Sequence, residues 1–176
     1  KFINRKPFLW PLLSEGGVGV TRGWPTGPAD GPTDHQHQKS FWTAHGAVNG
    51  ADLWSETFGS SGFEQVEEVT FGSGDAYGWI RSRNVWQTLD RKPVVREVRE
   101  YRFYATPEAG RIFDAVVTFK ADYGDAEFGD TKEGGIISLR LRPEMQEKQV
   151  TFKDEAGVER TAGGEGQGAC WVIPKR

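Results

Sequence analysis

The stretch from Asp34 to Trp54 (DHQHQKSFWTAHGAVNGADLW) holds all three histidines of the chain, two of its seven tryptophans and two aspartates. Imidazole exchanges its proton near neutral pH and, when neutral, ligates zinc, iron or copper. Indole offers a broad apolar face with one polar edge. On an extended strand His35 and His37 share a face with Lys39, Phe41 and Thr43, with His45 at the far end. His35 and His45 would then lie about 33 Å apart. A straight strand therefore cannot gather the three histidines. Either the chain bends between them or His45 serves another site.

A second polar concentration runs from Gly124 to Gly135, where Asp125, Glu127, Asp130, Lys132 and Glu133 are set among glycines. A solvated acidic turn between strands explains it at least as simply as a site does.

Three chemistries fit these residues. In the first the ligand is a small carbohydrate. Trp24, Trp42 and Trp54 supply ring faces, and His35, His37, Asn49, Lys132, Glu133 and Arg140 meet its hydroxyls. Here His35 or His37 acts as general acid at a ring oxygen while Glu133 takes a hydroxyl proton, with Lys132 beside it. No cofactor is needed. In the second, His35 and His37 bind a divalent metal such as zinc, completed by His45, Asp34 or Glu133. In the third the domain is a non-catalytic structural or interaction module, and the histidines are surface or hydrogen-bonded core groups.

The elements that must position these residues read as strands. Twenty-three glycines, nine prolines and 12% aromatic residues in 176 point to many short strands joined by tight turns. Arg111 to Tyr123 alternates, with Phe113, Ala115, Val117, Phe119 and Ala121 on one face. Ile136 to Arg142 does likewise, placing Ile137, Leu139 and Leu141 on the buried side. Phe63 to Phe71, Ala76 to Gln87 and Val94 to Ala105 are further strands. Pro7 to Leu13 suits a sheet edge, because its prolines cannot donate to a ladder. Asn49-Gly50 marks a two-residue hairpin turn, so Phe41 to Val48 should fold back onto Ala51 to Phe58 and bring Trp42 to Trp54. Glu15 to Val20 has neither phosphate-loop spacing nor a helix after it. Val150 to Gly168 reads as a hairpin and an exposed loop. Ala169 to Ile173 is a last apolar strand, with Cys170 a small core residue. The fold class is all-β, an antiparallel β-sandwich over a single domain, residues 1–176.

A formal charge of −3 and pI near 5.7 give no electrostatic case for nucleic acid. No apolar run is long enough for a membrane span. One cysteine excludes an internal disulfide. The first residue is Lys1 rather than Met, which leaves room for a removed leader and favours a periplasmic or secreted protein over a cytoplasmic one. Oligomeric state is not legible.

Taken together, Arg5 to Leu12 (RKPFLWPL), Thr21-Arg22-Gly23-Trp24-Pro25, Asp34 to Ser40, His45 to Trp54 and Gly129-Asp130-Thr131-Lys132-Glu133-Gly134-Gly135 resemble the bacterial PmoA-like family. Its members carry Asp-His-Pro-His-His-Arg-Gly, His-Gly-x-Val-Asn-Gly-x-Asp-Phe-Trp and Gly-Asp-Thr-Lys-Glu-Gly-Gly segments. Gly168 to Val172 is similar to its Gly-x-Ala-x-Trp strand. The resemblance implies a soluble β-sandwich related to the galactose-mutarotase-like supersandwich, often encoded near sugar-processing genes. The family's label comes from a membrane monooxygenase subunit, an activity that does not follow for a chain without a span. The resemblance also draws Asp130, Lys132 and Glu133 into one composite site with the histidines. Gln36 and Gln38 stand where the family has proline and a second adjacent histidine. Members continue past the last strand, so the resemblance implies a shortened form.

Overall fold

The computed structural model describes residues 4–27, 31, 33–106, 110–133, 135–145, 151–153 and 159–161. The chain forms two compact units, Lys1–Arg142 and Pro143–Arg176. Among the described residues there is no α-helix, and no helix long and apolar enough to cross a membrane.

The first unit is built on two antiparallel sheets. Strands β3 (Phe63–Ser73), β4 (Tyr77–Gln87), β5 (Pro93–Tyr104) and β6 (Phe113–Lys120) form a four-stranded meander in chain order. Strands β1 (Phe8–Leu9), β2 (Phe41–Thr43) and β7 (Ile137–Leu139) form the three-stranded sheet, with β2 central. The alternation of Phe113, Ala115, Val117 and Phe119 is realised in β6, whose burial also alternates. The proline-flanked β1 sits at a sheet edge, as its missing donors require.

The sheets pack face to face. Phe41 of β2 meets Tyr101 of β5 at 5.7 Å and Phe113 of β6 at 5.5 Å, centroid to centroid. Leu9, Leu12, Ile80, Phe103 and Ala115 complete this cluster. Beyond the short strands, the loop after β2 takes over, and Val48 and Leu53 pack on Trp86, Val94 and Val95. Each such side chain, fully buried, contributes about 1.5–3 kcal/mol. Gly62 lets this loop close onto β4, since a Cβ there would lie 2.2 Å from the Gln87 carbonyl oxygen.

Two expectations need correction. The period of Ile137 and Leu139 is right, and both share a side with Phe41 through the Phe41–Leu139 and Thr43–Ile137 pairs. Yet they are 44% and 48% exposed, because β7 is an edge strand that the larger sheet does not cover. The Asn49-Gly50 turn forms with positive φ at both residues and reciprocal Val48–Ala51 bonds. Its arms do not continue as a ladder; the one further bond is from Leu53 N–H to the His45 carbonyl. Trp42 and Trp54 nevertheless meet edge to face at 5.5 Å.

The second unit has a 3-10 turn at Pro143–Met145 and an antiparallel pair, β8 (Thr151–Lys153) with β9 (Glu159–Thr161). The hairpin expected after Val150 is therefore present. The expected strand at 169–173, with Cys170, lies outside the described residues.

Candidate functional site

The segment 34–40 is a turn, not a strand. His35 takes a left-handed φ of 45° and the Gln38 N–H donates to its carbonyl at 2.9 Å. A second positive φ, at Ser40, redirects the chain into β2. The buried Arg22 guanidinium holds the turn from below. Its Nη2 donates to the carbonyls of Asp34 (3.2 Å), His35 (2.7 Å) and Gln38 (3.3 Å), and its Nη1 lies 3.5 Å from Asp34 Oδ1. Arginine suits this role because its fork of donors is rigid and always charged.

The bend sets His35 against His37, ring centroids 5.8 Å apart and nearly perpendicular. His35 Nδ1–H donates to Asp34 Oδ2 at 2.8 Å, which fixes that ring and leaves Nε2 outward. Burial alone would raise the Asp34 carboxyl, but His35, Arg140 and Arg22 outweigh it and hold it below the usual carboxylate range. His37 packs against Trp54 at 6.5 Å. Partial burial, with the Lys6 ammonium nearby, depresses its pKa to about 4, so it is a neutral imidazole at physiological pH. Trp24 donates Nε1–H to the Gln36 carbonyl at 3.0 Å, and its ring carries the Lys39 ammonium 4.4 Å from its centre.

Both residues that depart from the resembled motif have local partners. The Gln36 amide donates to the Thr33 carbonyl at 2.8 Å and to Thr26 Oγ1. Gln38 Oε1 accepts from Arg140 Nη1 at 2.5 Å, and Arg140 Nη2 lies 3.9 Å from Asp34 Oδ1. Arg140 thus joins the histidine turn although a hundred residues separate them.

The remaining candidates gather elsewhere. His45 is buried, donates Nε2–H to the Gly129 carbonyl at 3.0 Å and lies 5.4 Å from the Phe128 ring. Asn49 clasps the same segment, donating to the Asp125 carbonyl (2.9 Å) and accepting from the Glu127 N–H (2.7 Å). Gly46 N–H donates to the Glu133 carbonyl, and a Cβ on Gly46 would meet Thr131 Oγ1 at 2.7 Å. The 45–54 and 129–135 motifs are therefore docked partners. Lys132 is largely exposed and pairs with Glu133 at 3.7 Å; Asp130 is exposed. Among the described residues, no hydrogen bond, ion pair or ring contact links Asp130, Lys132 or Glu133 to His35 or His37. His45 stands apart from the His35–His37 pair, and no group of three His, Cys, Asp or Glu side chains has metal-binding geometry among the described residues.

Burial also redistributes the tryptophans. Trp42 and Trp54 are 2% and 6% exposed and form a small core with Ala44 and Phe8, so neither presents an open face for stacking. Trp24 is half-covered and keeps part of its surface.

A buried ionic network under the turn escaped the sequence reading. Lys39 Nζ pairs with Glu56 Oε1 at 2.6 Å and donates to Asn4 Oδ1 at 2.8 Å. Glu56 Oε1 also accepts the Arg5 N–H at 2.7 Å. Arg99 bridges Glu97 (2.7 Å) and Glu64, and Glu97 Oε2 takes Asn84 and the Trp86 indole. Burial raises the Glu64 carboxyl against the pull of Arg99. Lys6 donates to the Trp54 carbonyl and lies 5.9 Å from that ring's centre, with no carboxylate within 4.0 Å among the described residues. Burial lowers its pKa to about 8. Lys6 lies at the bend before β1, where no periodicity marks a core-facing lysine, so only the fold reveals it. The single available hint was its place beside Pro7-Phe8-Leu9-Trp10.

Residues 2–175 match the model of a family of unknown function, DUF6807, and the chain belongs to that family. No curated protein and no solved structure matches the chain.

Proposed function

We propose that this member of a family of unknown function binds a small carbohydrate at the His35–His37 turn and exchanges protons with it. The observation that carries the reading is the pairing of two unlike imidazoles 5.8 Å apart, one bound to a carboxylate and one neutral and half-buried. Paired titratable groups in contrasting environments are how a site divides acid and base roles. His35, with Nδ1–H held by Asp34, presents Nε2 as the proton acceptor for a sugar hydroxyl, and Asp34 stabilises the imidazolium that forms. His37, neutral, offers one N–H donor and one lone pair to a ring oxygen or a neighbouring hydroxyl. Arg140 and Gln38 supply polar groups at the rim, and the open part of Trp24 supplies an apolar surface. The resemblance to the PmoA-like family, with its sugar-processing gene neighbours, supports the same ligand class.

The test is NMR titration of the labelled protein with a panel of neutral monosaccharides and uronic acids, following the histidine ring signals. Binding that shifts His35 and His37 together, and falls at least tenfold in His37→Gln, is the expected result. A His35→Gln/His37→Gln variant that stays folded and binds the same sugars equally well would refute the site. A panel with no binder leaves the turn a purely structural device and refutes the ligand class.

A further inference from the structure

The outward face of the four-stranded sheet carries a second aromatic group. Even-numbered residues of β4 such as Ile80 and Trp86 point into the core, so Tyr77, Trp79, Arg81 and Arg83 point outward. The histidine turn belongs to the layer covering the inner face, so the two features lie on opposite sides of this sheet. Trp79 pairs with Gly72 on β3 and Arg102 on β5. A Cβ at Gly72 would come within 2.9–3.0 Å of three indole atoms, so the ring lies down over the glycine. Two residues along β4, about 7 Å away, Tyr77 meets its cross-strand partner Tyr104 at 5.7 Å. A concavity lined by Ser73, Gly74, Asp75, Ala76, Tyr77 and Trp79 adjoins these rings.

The rim is polar and held in place. Tyr104 O–H donates to Asp114 Oδ2 at 2.8 Å, and Arg102 pairs with Glu100 at 2.6 Å. A tryptophan over a cross-strand glycine also stabilises a sheet. That role needs neither the two tyrosines beside it nor the Tyr104–Asp114 and Arg102–Glu100 pairs at their edge. Neighbouring aromatic faces, with Tyr77 and Tyr104 tilted 55° to each other and edged by hydrogen-bonding groups of both signs, match the C–H faces and hydroxyl edges of linked pyranoses. We propose that Trp79, Tyr77 and Tyr104 form an anchoring platform for an oligosaccharide or polysaccharide chain of low net charge. The proposal does not rest on chemistry at the histidine turn.

The experiment uses the full chain in affinity gel electrophoresis against soluble β-glucan, xylan and mannan. Retardation by at least one polymer is expected, with Trp79→Ala and Tyr77→Ala each weakening it at least fivefold. As a measurement on the unmodified protein, amide and indole shifts on adding a hexasaccharide of that polymer should centre on Trp79, Tyr77 and Tyr104. Retardation unaffected in folded Trp79→Ala and Tyr77→Ala, shifts centred on the histidine turn, or no retardation by any polymer would each overturn the platform. Shifts at these rings that depend on protein concentration alone would mark a self-association face and overturn it as well.

Discussion

Replacing Lys6 with methionine should stabilise the protein at neutral pH. Lys6 is buried, with a carbonyl rather than a carboxylate as its direct partner, and its pKa falls from 10.5 to about 8. The folded state therefore holds the ammonium less tightly than the unfolded chain does. A drop of that size corresponds to about 3 kcal/mol of destabilisation when both states are protonated, below pH 8. Methionine removes this cost and forfeits the hydrogen bond to the Trp54 carbonyl, about 1 kcal/mol. A net gain of about 2 kcal/mol remains. As pH climbs from 8 to 10.5 the folded lysine loses its proton while the unfolded one keeps it. Wild-type stability recovers across that window, and the advantage of Lys6→Met shrinks away. Urea denaturation of both proteins at pH 7, 8, 9 and 10 measures the difference directly, with other titrating groups cancelling. A destabilised Lys6→Met at pH 7, or a gain that stays flat up to pH 10, would show that Lys6 is not an uncompensated buried charge. If the ammonium is there to keep His37 neutral, the stabilised variant will also have a raised His37 pKa, an exchange of function for stability that natural sites often make.

His37 in the wild type should remain neutral down to about pH 4 in a histidine-ring NMR titration; a midpoint near 6.5 would contradict its burial against Trp54. Because that pKa is depressed, the unfolded chain binds the extra proton first, and the contribution of His37 to stability is lost as pH falls from 6.5 towards 4. Gly46→Ala should destabilise by about 1–3 kcal/mol through its clash with Thr131 Oγ1, and Thr131→Ala in the same chain should restore part of the loss in urea melts. Arg99→Met strands the Glu64 and Glu97 carboxylates and should cost about 3–5 kcal/mol, the largest single loss here, by the same assay.

The sequence by itself determined the elements whose signal is local. Alternation in Phe113 to Lys120, the long strands at β3 to β5 and the Asn49-Gly50 turn follow from pleat geometry and backbone sterics, which act over a few residues. Trp42 does meet Trp54 as expected, but through packing of the loop and not across a ladder extending that turn. Tertiary structure alone decided which surface each pattern would meet. Ile137 and Leu139 keep their period yet stand half exposed, because cover depends on how far the opposite sheet extends. His35 and His37 converge on a turn instead of a strand face because Arg22, twelve residues upstream, gathers three carbonyls that no local rule assigns to it. His45 and Asn49 went to the 125–129 segment, and Arg140 came to the histidines, through packing across long stretches of chain. The buried charges of Lys6, Lys39, Glu56, Glu64, Glu97 and Arg99 were invisible for the same reason. A charged residue reads as solvent-facing until its partners are known, and those partners are set by the fold.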